Sequence, residues 1–148
     1  MDRTSDMQAA LALAREAAAA GEVPVGCVVT DADGNIVGRG RNRRAQLPDA
    51  TAHAEIEAIR EACRALGDWR LSGCTLTVTL EPCPMCAGAI INARIPTVVF
   101  GAREPVFGSC GSVIDLFFER YGHQPRVYGG VLEADCAALL RDFFAAKR

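Results

Sequence analysis

The stretch from Thr75 to Asn92 constrains the fold more than any other. Thr75-Leu-Thr-Val-Thr-Leu80 alternates threonine with leucine and valine, the pattern of a strand. It runs straight into Glu81-Pro-Cys-Pro-Met-Cys86 and then into small and apolar residues that read as a helix over 84–92, with Cys83 and Cys86 at its opening. The rest of the chain repeats this adjacency of strand and helix. A helix is expected over 6–20, capped by Ser5 or Asp6 and stopped at Gly21. Strands over 23–30 and 36–40 flank a turn at 31–35 and form a β-hairpin. A polar loop over 41–49 leads to a second helix over about 52–66, entered through Thr51 and ended at Gly67, with His53 and Glu55 in its first turn. Strands over 97–100 and 126–131, a glycine-containing loop over 101–111 and a closing helix over 133–146 complete the reading. Strands alternating with helices predict a three-layer α/β/α domain around a central mixed sheet of about five strands.

At 148 residues, 50% hydrophobic and 23% charged, the chain has the length and balance of one soluble domain spanning 1–148. No linker composition, charge block or internal repeat divides it. Its longest apolar stretch, 9–20, is interrupted by Arg15 and Glu16, and no basic start with a cleavage site precedes it, so a cytoplasmic protein without membrane association is expected. Seven cysteines without a leader argue against a disulfide framework. Cys27, Cys63, Cys74, Cys110 and Cys136 sit among apolar neighbours or turns and read as small hydrophobes.

Cys83 and Cys86 ask for more. Cys-x-x-Cys alone fits a metal site, a redox dithiol or simple packing. The second motif, Thr51-Ala-His53-Ala-Glu55, opens another helix, and in a sheet-based fold both helix starts can converge at one sheet edge. His53, Cys83 and Cys86 then make the three-ligand set of a catalytic zinc with its fourth position open. Helix N-termini carry about half a positive charge, which favours the thiolates such a site needs. Residues two apart on a helix project differently, so Glu55 is left as a proton carrier rather than a ligand. A closed structural site would need a fourth donor. Cys74 is separated from Cys83 by a strand of roughly 20 Å, whereas spacing alone leaves Cys110 and His123 open. An open zinc site supplies an activated hydroxide near neutral pH, with Glu55 taking the water proton, returning it to a ring nitrogen and then protonating the departing amine.

His53-Ala-Glu55 with Pro82-Cys83-x-x-Cys86 resembles the signature of the zinc-dependent nucleoside and nucleobase deaminases. Within that superfamily the chain looks like the bacterial tRNA-specific adenosine deaminases along most of its length, at Glu22-Val-Pro-Val-Gly26, Arg41-Asn42-Arg43, Thr51 to Ile56, Thr79 to Ala89, Val99 to Arg103 and Phe143-Phe144. The resemblance implies one Zn2+ per subunit, a tRNA anticodon stem-loop as partner, conversion of the wobble adenosine to inosine with release of ammonia, and a cytoplasmic homodimer. It implies that Asn42 hydrogen-bonds the flipped base, that Val23 walls the pocket, and that Ala54 touches the purine through its backbone. Pro82, Arg103, Glu104, Phe107 and Phe144 are its further substrate contacts.

On residue chemistry alone Asn42 reads either as an amide addressing a purine edge or as a turn residue. Arg39, Arg41, Arg43 and Arg44, in a chain with one lysine, read either as phosphate forks or as a solvated loop. The family usually has Asp where Glu104 stands and often Lys where Val106 stands, and Phe107 either stacks on a base or packs inward. Net charge of −2 argues against wholesale nucleic-acid binding and leaves the local distribution to decide. Two alternatives accompany this reading: a deaminase of free guanine, cytosine or a nucleoside, and a non-catalytic zinc module that binds RNA or a partner.

Overall fold

A computed structural model describes residues 2–147. It contains α1 (Arg3–Ala19), β1 (Gly26–Thr30), β2 (Ile36–Arg41), α2 (Ala54–Leu66), β3 (Thr75–Leu80), α3 (Pro84–Asn92), β4 (Thr97–Ala102), a 3-10 turn (Leu116–Phe118), β5 (Arg126–Tyr128) and α4 (Glu133–Ala146). The five strands form one mixed sheet in the order β2-β1-β3-β4-β5. β1 runs antiparallel to β2 and β3, whereas β3, β4 and β5 are parallel, with Val78 opposite Phe100 and Val98 opposite Val127. Two apolar clusters separate three layers. Ala54, Ala58, Ala62, Ala87 and Ile90 of α2 and α3 pack with Cys27, Val29, Leu76, Val78, Val98 and Phe100. Met7, Ala10 and Leu11 of α1 and Cys136 of α4 pack with Val99 and Ala102. The α/β/α layering and five-stranded mixed sheet are those read from the sequence.

The boundaries differ for identifiable reasons. α1 begins at Arg3 instead of 6 because Asp2 caps it, its carboxylate accepting from Thr4 N and Ser5 N. β1 begins at Gly26 instead of 23: Pro24 has no N–H to give a ladder, and Val25 N turns back to Val23 O at 2.9 Å. His53 is extended (φ −81°, ψ 153°) and stands as the N-cap of α2, so only Glu55 lies in the first turn. β4 runs on to Ala102, which pairs with Leu80, and β5 stops at Tyr128, before Gly130 at φ +85°.

Contact between α2 and β2 fixes where the site lies. Ala54, Ala58 and Ala62 recur every four residues, one per turn, and are fully buried. Beneath them β2 offers Gly38 and Gly40, where an added Cβ would lie 2.2 Å from Ala58 O and 2.1 Å from Ala54 O. Helix backbone therefore rests directly on strand backbone. At this separation Glu57 Oε1 accepts from Arg41 N (3.3 Å) and Glu61 Oε1 from Arg39 N (3.2 Å) on the outer strand. Gly40→Ala forces two main chains apart, and we expect a loss of roughly 1–3 kcal/mol, read as a lower denaturation midpoint. An unchanged midpoint would show that the layers are looser than these distances require.

Candidate metal centre and substrate groove

β3 ends at Leu80 and the chain turns through Glu81 and Pro82 to Cys83, the N-cap of α3, with Pro84 in the first turn. His53 caps α2 on the same side of the sheet. The two helix starts converge: His53 Nδ1 lies 3.6 Å from Cys83 Sγ and 3.5 Å from Cys86 Sγ. A tetrahedral zinc with bonds of about 2.3 Å to sulfur and about 2.0–2.1 Å to nitrogen sets those donors roughly 3.6 Å apart, so the three residues fit the ion. Among the described residues, the group able to hold a metal is His53, Cys83 and Cys86; Cys74 and Cys110 are not part of it. His123, open on spacing alone, has its Nε2 2.7 Å from Ile95 O.

Electrostatics at the cluster suit a metal ligand. The hydrogen bond from the Cys86 thiol pulls Cys83 down to about 4, against burial and with help from His53. Cys86, held by Cys83 and by burial, is pushed up and keeps its proton longer. Hydrogen bonding to Cys83 raises His53, against its burial. Glu55 is 4% exposed and hydrogen-bonded to Cys86. Burial, supplemented by the Cys83 charge, raises its carboxyl to about 7. A carboxyl poised near neutrality beside an open three-donor site has the properties of a proton carrier. Ala54 and Pro82, the neighbours of His53 and Cys83, are both buried.

A groove of about 330 Å³ is lined by Val23, Asn42, Arg44, Phe143, Phe144 and Lys147, with Glu22 among its remaining walls. It brings together three of the residues read as substrate contacts, Val23, Asn42 and Phe144. Asn42 is 7% exposed; its Nδ2 donates to Val23 O (3.4 Å) and its Oδ1 accepts from Arg44 N (3.2 Å). Of the four arginines around it, Arg43 is bound to Glu57 at 2.9 Å, Arg41 is half-buried, and Arg39 and Arg44 are exposed. Only Arg44 of these lines the groove, so the picture of four phosphate forks reduces to one arginine with Lys147 beside it.

The other three, Arg103, Glu104 and Phe107, lie on the segment after β4. Arg103 sits over the Phe100 ring, 5.6 Å from its centroid, with Nε 4.0 Å from Glu133. Glu104 folds back on its own turn, accepting from Val106 N at 3.0 Å and from Phe107 N. Phe107 is 63% exposed, which excludes inward packing.

Sequence reasoning missed two buried carboxylates. Glu22 accepts from Ala45 N (3.1 Å) and Gln46 N (2.6 Å), tying down the loop after Asn42. Glu81 is 2% exposed and accepts from Glu104 N (3.1 Å), Cys110 N (3.0 Å), Ser112 N (3.0 Å) and the Ser112 hydroxyl. Burial opposes its ionisation, but the Ser112 hydroxyl and those N–H groups outweigh it and hold the carboxyl below its usual range. The available signal was a lone acid inside an apolar, proline-bearing motif, Glu22-Val-Pro-Val and Leu80-Glu-Pro, since a charge there needs donors around it.

Residues 2–102 match the family described as the cytidine and deoxycytidylate deaminase zinc-binding region. The chain is 54% identical to the tRNA(Ile)-lysidine synthase of Deinococcus radiodurans over 96% of its own length and 24% of that protein's, so it spans about a quarter of that relative. It is 48% identical to the tRNA-specific adenosine deaminase of Bacillus subtilis, covering 96% of this chain and 88% of that protein. A structure solved in studies of A-to-I editing by tRNA:A34 deaminases at the wobble position of transfer RNA superposes with a TM-score of 0.88 at 46% identity, covering 93% of this chain and 99% of that one.

Proposed function

The chain belongs to the family of zinc-binding cytidine and deoxycytidylate deaminases, and on that premise we propose that it hydrolytically deaminates adenosine at the wobble position of a tRNA anticodon, giving inosine and ammonia. The observation that carries this reading is the pairing of the His53, Cys83 and Cys86 cluster and its buried Glu55 with a groove where Val23, Asn42 and Phe144 meet two cations, Arg44 and Lys147. Cations in such a groove suit the phosphates of a polynucleotide, which a free base lacks. The likeness to the Bacillus subtilis enzyme and to the tRNA:A34 deaminase structure supports the same substrate.

His53, Cys83 and Cys86 would hold the zinc ion, which would supply the Lewis acidity that makes water nucleophilic near neutral pH. Glu55 takes one proton of the attacking water. As the water oxygen joins C6 of the purine, Glu55 passes that proton to the ring nitrogen N1. It then takes the remaining proton from the C6 hydroxyl and delivers it to the exocyclic amine, which leaves as ammonia as the C6–N bond breaks and the C6 carbonyl forms. Asn42 addresses the edge of the flipped base, Val23 walls the pocket, and the Ala54 backbone and Pro82 border the ring. Phe144 offers a face to a neighbouring base, and Phe107, on the loop after β4, offers a second. Arg103 meets a phosphate, and Glu104, while it holds its own turn, has lone pairs left to accept from a ribose hydroxyl.

The enzyme works as a homodimer in the cytoplasm. Val113, Ile114 and Phe118, all exposed, supply apolar surface for a second copy to cover. All seven cysteines are free, as in a reducing compartment, and no helix of the described residues is long and apolar enough to cross a membrane. Incubation with an anticodon stem-loop bearing a wobble adenosine, and separately with guanine and cytosine, tests the substrate. Inosine in the stem-loop and no change in the free bases is the expected result, and deamination of guanine with an untouched stem-loop would overturn the proposal.

A further inference from the structure

We infer that Glu81 is a positioning residue for substrate recognition, joining the metal-ligand segment to the loop that receives the RNA. Its backbone belongs to the first segment: Glu81 lies two residues before Cys83, and its N–H donates to Ala102 O at 2.8 Å. Its side chain belongs to the second. One oxygen accepts from Glu104 N, the other from Cys110 N and Ser112 N, and the Ser112 hydroxyl adds a further bond. Residues 104 to 112 are thereby wrapped around one carboxylate.

Two further contacts close the wrap. Ser109 N donates to Pro82 O at 2.9 Å. Gly108 packs so closely that a Cβ there would lie 2.3 Å from Glu104 O and 2.7 Å from Glu81 Oε1. Glu104 spends its own carboxylate on Val106 N and Phe107 N, fixing the turn that presents the exposed Phe107 ring. A polar loop with an outward aromatic at its tip would otherwise sample many conformations, and ordering it only on binding would weaken affinity. Glu81 sets that order in advance.

The inference rests on the tRNA reading above, and the test separates the two. Glu81→Gln keeps the shape but turns an N–H donor toward backbone donors. Gly108→Ala disturbs the same wrap without altering the carboxylate. With the stem-loop as substrate, both variants are expected to raise KM roughly 10- to 100-fold while kcat stays within about threefold and zinc stays at one per chain. Placed in a Glu55→Ala background, Glu81→Gln should weaken stem-loop Kd by the same factor. Unchanged KM in both variants overturns the inference, and so does loss of zinc and kcat together in Glu81→Gln, which would make Glu81 a support of the metal. If Glu81→Gln does not fold, Gly108→Ala alone decides. A wild-type chain inert on the stem-loop overturns the tRNA reading instead.

Discussion

Glu55→Gln should keep one zinc per chain and lose turnover by about 10²–10⁴-fold. The carboxylate is outside the donor triad, so the metal has no reason to leave. Every proton transfer in the proposed reaction passes through it, and in the metal-free chain burial raises its carboxyl to about 7. Zinc content by atomic absorption and single-turnover rates on the stem-loop check the two halves together. Retained turnover would remove Glu55 from the chemistry, and loss of zinc would make it a ligand. A stability signature accompanies this. In the metal-stripped protein the folded carboxyl titrates near 7 and the unfolded one near 4.5, so the folded chain binds the extra proton between those values. The contribution of this group to the unfolding free energy therefore falls as pH rises from about 4.5 to about 7. Glu55→Gln should lack that portion of the fall.

Cys83→Ala should abolish stoichiometric zinc and, with it, measurable deamination. Two donors remain, His53 and Cys86, and Cys86 is the thiol that holds its proton more tightly. Because the metal binds the folded chain, its removal also costs stability: about 4 kcal/mol when free zinc stands at 1,000 times its Kd. For a chain of this length that is on the order of 10 °C in melting temperature. Chelation of the wild type should reproduce the shift, and the variant should show none on chelation. A fully metallated Cys83→Ala protein would refute the ligand set.

Much of this was legible because it depends on period and spacing. The alternation over Thr75–Leu80, and the small residues after Cys86, mark their elements whatever surrounds them. The metal cluster was legible because its donor types and two helix starts restrict each other. Three things were not. His53 stands as a cap because its backbone is extended, which the residue types over 51–55 do not reveal. The arginines around Asn42 could not be sorted by composition, since what neutralises Arg43 is Glu57, one turn inside another element. Glu22 and Glu81 look like ordinary acids until the loops that donate to them, 23 or more residues away, are in place. Long-range hydrogen bonding has no local period, and that is the part a sequence hides.

An open sheet ends in a strand whose outward N–H groups invite another strand to join. In this fold β2 is the longer of the two border strands, and Glu57 and Glu61 already occupy the N–H groups of Arg41 and Arg39. Two carboxylates on a helix thus act as a selvedge that stops the fabric from growing. Two such chains cannot fuse their sheets along that border without first evicting both carboxylates. The same seal works against fibres seeded at β2 wherever the chain is concentrated.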